Sequence, residues 1–186
     1  MIKQQYIPIK GDDFFCVPVS LYIIIKSEGF FLPLEEIVSK FKYYFPNDFI
    51  PPYNIENYEC TSEKKRWGVC LEEESINLFF KKMNLPFVEM YISINTIAEY
   101  NFFELLSSAK FNNNHIIFGY DYTRLYEGIK GDIGHVSIVN QIISENVIEI
   151  LNPGPKNYGI KQIPMYDVYC SIKSWNDGLW IIRRKD

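Results

Sequence analysis

Helical and strand-like patterns occupy different parts of this chain, and their order constrains the fold more than any other feature. In the first part, apolar residues recur at helical spacing, as in the stretch 71–84. Later, runs rich in β-branched residues dominate, at 115–120, 135–143, 146–151 and 177–184. Helices followed by an antiparallel sheet are typical of an α+β fold, which we predict here.

Residues 17–28 are predicted to form a helix that ends before Gly29. Pro18 suits the first turn, where its missing amide hydrogen costs no hydrogen bond, and glycine suits the C-terminal cap. The isoleucines of this run also fit a strand, but the proline entry and glycine exit favour the helix. Further helices are predicted at 34–42 and 95–110.

Residues 43–68 contain three prolines, many aromatic residues and no regular period. We predict an irregular insertion here, and loops of this length in compact domains are usually functional or mobile. A short strand is expected at 87–92. The chain has 186 residues, enough for a sizeable core, and we predict that 1–186 form a single domain.

Composition and charge argue against several classes of function. The net charge is -4 and the basic residues are dispersed, so we do not expect a nucleic-acid partner. The sequence contains no apolar run of membrane-spanning length and no signal-like apolar core at its N-terminus, so we expect a cytoplasmic protein without a membrane partner. The four cysteines form no CxxC pair and there are two histidines, so we expect neither a metal site nor a cofactor.

Cys16 lies directly before the predicted helix, after two aromatic residues. Unpaired amides and the helix dipole favour negative charge at a helix N-terminus, so we expect this position to lower the pKa of the thiol. A thiolate there is a nucleophile if a base lies near it. The alternative is a small buried core residue, the role that we expect for Cys60, Cys70 and Cys170.

Two histidines are available as the base. His135 stands at the start of a strand, behind Gly134 and a turn at 131–132, where glycine leaves room for a substrate backbone. His115 opens a core strand, and we assign it a structural role. His135 is therefore the candidate base.

Asn152 ends the strand that is predicted to pair with the His135 strand. With the turn at 144–146, both residues lie at the same end of a hairpin, where the amide oxygen is placed to accept the ring N–H and fix the tautomer. The alternative is that the sequence NPGP is only a turn, in which asparagine is common. Cys16, His135 and Asn152, in this order, form a candidate catalytic triad.

These motifs resemble the papain-fold cysteine peptidases that cleave bacteriocin leaders after a double glycine, and their peptidase-like relatives. In that family a cysteine opens a helix, a histidine leads a strand and an aspartate ends the next strand. The resembling stretches are FFCVPVSLYII, GHVSIVNQI and VIEILNPGP. Asn152 stands where the family has aspartate, and the papain branch uses asparagine in this role. The resemblance implies a papain-like fold with Cys16 as nucleophile, His135 as base and Asn152 as the orienting residue.

One family position differs in this chain. The family has a glutamine six residues before the cysteine, which helps to form the oxyanion hole, and this chain has Lys10. Lysine still donates hydrogen bonds, so Lys10 is the candidate oxyanion donor. The alternative is that Lys10 points to water and that the hole uses the Cys16 amide with another donor.

The resemblance implies that Cys16 accepts an acyl group as a thioester. Our leading prediction is acyl transfer to an amine from an acyl or peptidyl carrier protein with phosphopantetheine, as in cytosolic papain-fold enzymes of natural-product pathways. The 43–68 stretch would exclude water as a lid, and its basic part, 62–67, would meet the carrier, although a solvated loop is the commoner role for such a stretch. A cysteine peptidase acting on a peptide is the second prediction. A catalytically inactive binding module is the third.

Overall fold

The computed structural model of the protein describes residues 6–71 and 76–185. Within these ranges the helices are α1 (Cys16–Ser27), α2 (Leu34–Val38), α3 (Ile76–Lys82), α4 (Glu99–Phe111), α5 (Tyr122–Glu127) and α6 (Met165–Trp175). The strands are β1 (Tyr43–Phe45), β2 (Tyr58–Cys60), β3 (Gly68–Val69), β4 (Phe87–Ser93), β5 (His115–Asp121), β6 (Gly134–Ser144), β7 (Val147–Asn152), β8 (Gly159–Pro164) and β9 (Gly178–Arg184). Short 3-10 helices lie at Lys64–Arg66 and Ile94–Thr96. None of the helices in the described ranges is long and apolar enough to cross a lipid bilayer.

The larger of the two sheets contains β4 to β9, in the order β4-β9-β5-β6-β7-β8, and every neighbouring pair is antiparallel. The smaller sheet has the order β2-β1-β3. Helices α1 to α3 come before β4 in the chain, and the paired strands β5 to β7 follow later. The prediction of an α+β fold with N-terminal helices followed by an antiparallel sheet is confirmed.

The larger sheet has a hydrophobic core on each face, because alternate residues of a strand point to opposite sides. Ile117 of β5 belongs to the core that contains α1, whereas its neighbour Phe118 belongs to the core that contains α4 and α6. Helix α1 is apolar around most of its circumference and packs on β6, so most of it is buried. This packing sets the N-terminus of α1 beside the first residues of β6.

Helix α1 matches the prediction for 17–28 to within one residue, and Gly29 adopts the left-handed φ of 82° expected after a helix. Helix α2 was predicted at 34–42 and ends at Val38, because the following residues connect it to β1. Residues 72–75 of the helix predicted at 71–84 lie outside the described residues, and its described part is α3.

The stretch 43–68 was predicted to be irregular, and that prediction is wrong in part. It contains β1, β2 and the first residue of β3, which pair across distant parts of the chain: Tyr43 with Tyr58, and Tyr44 with Gly68. Strands of two or three residues are too short to produce a periodic pattern, so the sequence did not indicate them. The sequence also did not predict α5, β8 and α6.

Candidate active site

A cavity of about 750 Å³ lies where the N-terminus of α1 meets the start of β6. Cys16 and Val17 of α1 line it, together with His135 and Val136 of β6. A continuous segment, 64–71, forms another part of the lining. The candidate nucleophile and the candidate base therefore share one cavity, and the basic residues of the 43–68 stretch border the same space.

Cys16 is the first residue of α1, and an aromatic cluster holds the loop before it. Phe14 has a left-handed φ of 72°, a conformation that costs a non-glycine residue energy. Its ring packs edge-on against Phe49, with centroids 4.7 Å apart, and against Trp67, at 5.9 Å. The 43–68 stretch therefore supports the turn that leads the chain into the nucleophile.

Burial has the largest effect on the Cys16 thiol and raises its pKa to about 11. The nearby backbone amides of Val136, Val17 and Cys16 itself act in the other direction and lower the pKa by less. We expected the helix N-terminus to lower this pKa, and that expectation is wrong because burial has the larger effect. The contact with the Val136 amide also places the sulfur beside the residue that follows His135.

His135 and Asn152 lie at the same end of the β6–β7 hairpin and are joined by a hydrogen bond. The distance from Nε2 of His135 to Oδ1 of Asn152 is 2.8 Å. Asn152 is fully buried, and its Oδ1 also accepts the backbone N–H of Gly154 at 2.8 Å. Its Nδ2 donates to the carbonyl of Lys156 at 3.1 Å and to the Tyr126 hydroxyl at 3.0 Å.

These partners fix the orientation of the Asn152 amide. Gly154 presents an N–H and Lys156 presents a carbonyl, so the oxygen and nitrogen of the amide cannot be exchanged without losing both bonds. Because Oδ1 only accepts, Nε2 of His135 must carry a proton. In the neutral imidazole Nδ1 then has a free lone pair, which is what a base needs in order to take the proton of a thiol.

A group of tyrosines surrounds the imidazole. The rings of Tyr120 and Tyr122 lie edge-on to His135, with centroids 5.6 and 5.5 Å away. Burial in this environment lowers the pKa of His135 to about 4, so the imidazole is neutral at pH 7. The sequence does not single out these tyrosines or Tyr126, because the chain contains fourteen tyrosines and Tyr122 and Tyr126 lie on an unpredicted helix.

Lys10 is exposed, and it lies outside the set of described residues that line the cavity. Its Cγ lies 3.5 Å from the position that a Cβ on Gly154 would occupy, so its aliphatic stem runs beside the 153–155 turn. The neighbouring Gly11 donates its N–H to the carbonyl of Pro153 at 2.8 Å. Among the described residues, no group of three or more His, Cys, Asp or Glu side chains is placed to hold a metal ion.

The raised pKa of Cys16 and the lowered pKa of His135 predict how Cys16 reacts with iodoacetamide as the pH changes. Only the thiolate reacts, and a pKa of about 11 leaves the thiol protonated below that pH. Alkylation of Cys16 should therefore rise up to about pH 11 and, at pH 7, should be slower than alkylation of glutathione. Peptide mapping by mass spectrometry across the pH range measures this rate. Half-maximal alkylation below pH 7 would contradict the prediction and indicate a thiolate–imidazolium pair.

No family model and no curated protein matches the sequence. Among solved structures, the chain is similar to the crystal structure of a Bacillus anthracis protein described as a "putative C39-like peptidase". The two are 15% identical, the TM-score is 0.63, and the match covers 98% of this chain and 97% of that chain. Likeness at this identity is evidence of the fold rather than of the activity. The chain therefore has the papain-like α+β fold of a C39-like peptidase.

Proposed function

We propose that this protein is a cysteine-dependent enzyme in which Cys16 forms an acyl-enzyme thioester, and that it acts as a cysteine peptidase. The observation that supports this most is the 2.8 Å bond from His135 Nε2 to the buried Asn152 amide. That bond leaves Nδ1 as the basic atom of an imidazole that shares the cavity with Cys16. The likeness in fold to a C39-like peptidase, over nearly the whole of both chains, supports the same proposal.

The reaction begins when Nδ1 of His135 takes the proton of the Cys16 thiol as the sulfur attacks a substrate carbonyl carbon. The carbonyl oxygen becomes an oxyanion, and we propose that the backbone amide of Cys16, at the N-terminus of α1, turns to donate a hydrogen bond to it. The imidazolium returns the proton to the leaving amine, the C–N bond breaks, and a thioester remains on Cys16. Water then loses a proton to His135, attacks the thioester and releases the acid and the free thiol.

Acyl transfer to an amine is the second candidate. It uses the same thioester, with an amine in place of water, and a carrier-bound acyl thioester as donor. The observation that favours it is the aromatic lining of the cavity, which includes Trp67, Trp175 and Trp180, because an acyl group bound against these rings would displace water from the thioester. Lys64, Lys65 and Arg66 border the cavity and would face an acidic carrier protein or its phosphopantetheine phosphate. The peptidase now comes first because the likeness in fold adds support to it.

The acyl-enzyme is tested by intact-protein mass spectrometry after incubation with a panel of aminoacyl thiobenzyl esters and peptides. The expected result is an adduct of acyl mass that is present in the wild type and absent in Cys16→Ala. Cys70 lines the same cavity and Cys60 is exposed, so Cys70→Ala and Cys60→Ala are matched controls that should retain the adduct. An adduct that persists in Cys16→Ala, or no adduct from any compound, would overturn the proposal. Discharge by added amine, rather than by water, would favour acyl transfer.

Lys10→Met tests the proposed oxyanion donor. Removing an oxyanion donor typically lowers kcat by about 10²–10³-fold. We expect a loss of less than about tenfold, because Lys10 is exposed and lies outside the lining of the cavity. Steady-state kcat for the best substrate of the panel is the measurement, and a loss of the larger size would restore Lys10 as the donor.

A further inference from the structure

A rigid carboxylate lies in the same cavity as Cys16 and His135. Asp177 connects α6 to β9 and is one of the lining residues. Its backbone is fixed at both ends, because its N–H donates to the carbonyl of Ile172 at 3.3 Å and its carbonyl accepts the N–H of Ile94 at 2.9 Å. Its Oδ1 accepts the backbone N–H of Gly178 at 2.9 Å and the Tyr91 hydroxyl at 3.3 Å. The carboxylate is therefore held in one position.

Gly119 provides the space for this carboxylate. A Cβ built on Gly119 would overlap Oδ2 of Asp177 and would lie 3.3 Å from Cη2 of Trp180. Gly119 pairs with Val136 across the β5–β6 ladder, and the Val136 amide contacts the Cys16 thiol. Adjacent strands lie about 4.8 Å apart, so one strand spacing separates Gly119, which contacts Asp177, from Val136, which lies beside Cys16. A substrate with its carbonyl at Cys16 is therefore able to reach Asp177 with a neighbouring side chain.

The surroundings of Asp177 fit a positively charged group. The Tyr91 and Trp180 rings, 5.2 Å apart, also line the cavity, and aromatic faces attract cations. Glu89 lies two residues before Tyr91 on β4, so it points to the same face, and it lines the cavity as a second carboxylate. Burial raises the pKa of Asp177 to about 6. The hydrogen bonds to the carboxylate therefore do not fully replace the water that it has lost, and a bound cation would stabilise its charge.

Two of the three basic residues that line the cavity, Lys64 and Arg66, already have other partners. Lys64 Nζ lies 3.7 Å from Oδ2 of Asp132, and the Arg66 guanidinium lies 4.1 Å from the centroid of the Tyr44 ring. The side chain of Asp177 accepts hydrogen bonds from Gly178 and Tyr91 rather than from either cation. The carboxylate is thus oriented by the protein and remains available to a substrate.

We infer that Asp177 is a specificity-determining residue that binds an ammonium or guanidinium group of the substrate. The inference rests on the proposed function, since it places this group on the compound that acylates Cys16. The substrate class is then a peptide or acyl compound with a positively charged side chain near the reacting carbonyl. A guanidinium is able to form two hydrogen bonds with the carboxylate, and an ammonium is able to form one.

The first arm of the test measures turnover. N-acetyl dipeptide thiobenzyl esters Arg-Ala and Ala-Arg are compared with the same compounds containing citrulline, which has the shape of arginine without its charge. We expect kcat/KM to be about 10- to 100-fold higher for one arginine compound than for its citrulline partner, the usual effect of a charged hydrogen bond. Asp177→Asn keeps an oxygen for the Gly178 N–H and should abolish the preference. Asp132→Asn removes an acid that lies outside the described lining and should retain it.

The second arm measures binding without catalysis. Nα-acetylarginine amide and Nα-acetylcitrulline amide are titrated into Cys16→Ala and into Cys16→Ala/Asp177→Asn, with NMR shifts as the readout. Preferential binding of the arginine compound that needs Asp177 supports the inference, even if no compound acylates Cys16 and the proposed function fails. Equal binding of the two compounds, or a preference that survives Asp177→Asn, overturns the inference. The proposed function is judged separately, and thiol release that depends on Cys16 would leave it intact.

Discussion

Replacing His135 with alanine should lower kcat/KM by about 10⁴-fold or more for any substrate that acylates Cys16. The pKa of the thiol is about 11, so at pH 7 the nucleophile depends on a base to remove its proton as it attacks. The tautomer set by Asn152 leaves Nδ1 of His135 with the lone pair, and His135 is the base that we propose. Thiol release from the best thiobenzyl ester measures the loss. Activity within tenfold of the wild type would contradict the role of His135.

His115 is the matched control for this variant. It is buried, and its ring nitrogens contact the Tyr6 hydroxyl at 2.7 Å and the Glu28 carboxylate at 3.0 Å. These contacts join the N-terminal segment, the end of α1 and β5, so His115→Gln should lower the melting temperature and leave kcat of the folded protein near the wild-type value. The two histidine variants thus separate a loss of chemistry from a loss of stability.

Asn152→Ala should affect both chemistry and stability. It removes the acceptor for His135 and leaves the Gly154 N–H, the Lys156 carbonyl and the Tyr126 hydroxyl without their amide partner. We expect a loss of about 10²–10⁴-fold in kcat, because the imidazole is free to adopt the other tautomer. We also expect the free energy of unfolding to fall by about 2–4 kcal/mol, the usual cost of leaving buried polar groups unpaired.

Asn152→Asp separates these two effects. A carboxylate keeps an oxygen for His135 Nε2 and for the Gly154 N–H, so the tautomer and most of kcat should be retained. It also places an oxygen against the Lys156 carbonyl, so stability should fall as in the alanine variant. Urea denaturation and kcat of the folded fraction are the two measurements. An aspartate variant that is slower than the alanine variant would contradict the assigned tautomer.

The positions of the site residues follow from signals that are local in the sequence. Pro18 and Gly29 delimit one helix, which places Cys16 at its N-terminus. The turn at 145–146 connects the two strands of the hairpin, and the residues at its open end, His135 and Asn152, lie within hydrogen-bond distance. Bulges between Val139 and Gln141 and between Ile142 and Ser144 alter the register locally without separating this end. Local chemistry was therefore enough to bring these residues together.

The lining of the cavity depends on contacts between distant parts of the chain, which one sequence does not reveal. Asp177 lies over Gly119 because β9 pairs with β5, and the sequence did not indicate that pairing. The thiol pKa was predicted in the wrong direction for the same reason. The helix N-terminus is visible in the sequence, whereas burial is a property of the whole packed structure.

The chemistry of this site depends on α1 packing against β6, and that dependence affects when the protein acquires its reactivity. During translation Cys16 is made well before the β6–β7 hairpin, so in the growing chain it is an ordinary thiol with no imidazole to activate it. Only after the hairpin has folded and docked against α1 does His135 reach the same cavity. If the proposed mechanism holds, a nascent or unfolded copy should therefore not cleave its neighbours, because His135 reaches Cys16 only once this packing has formed.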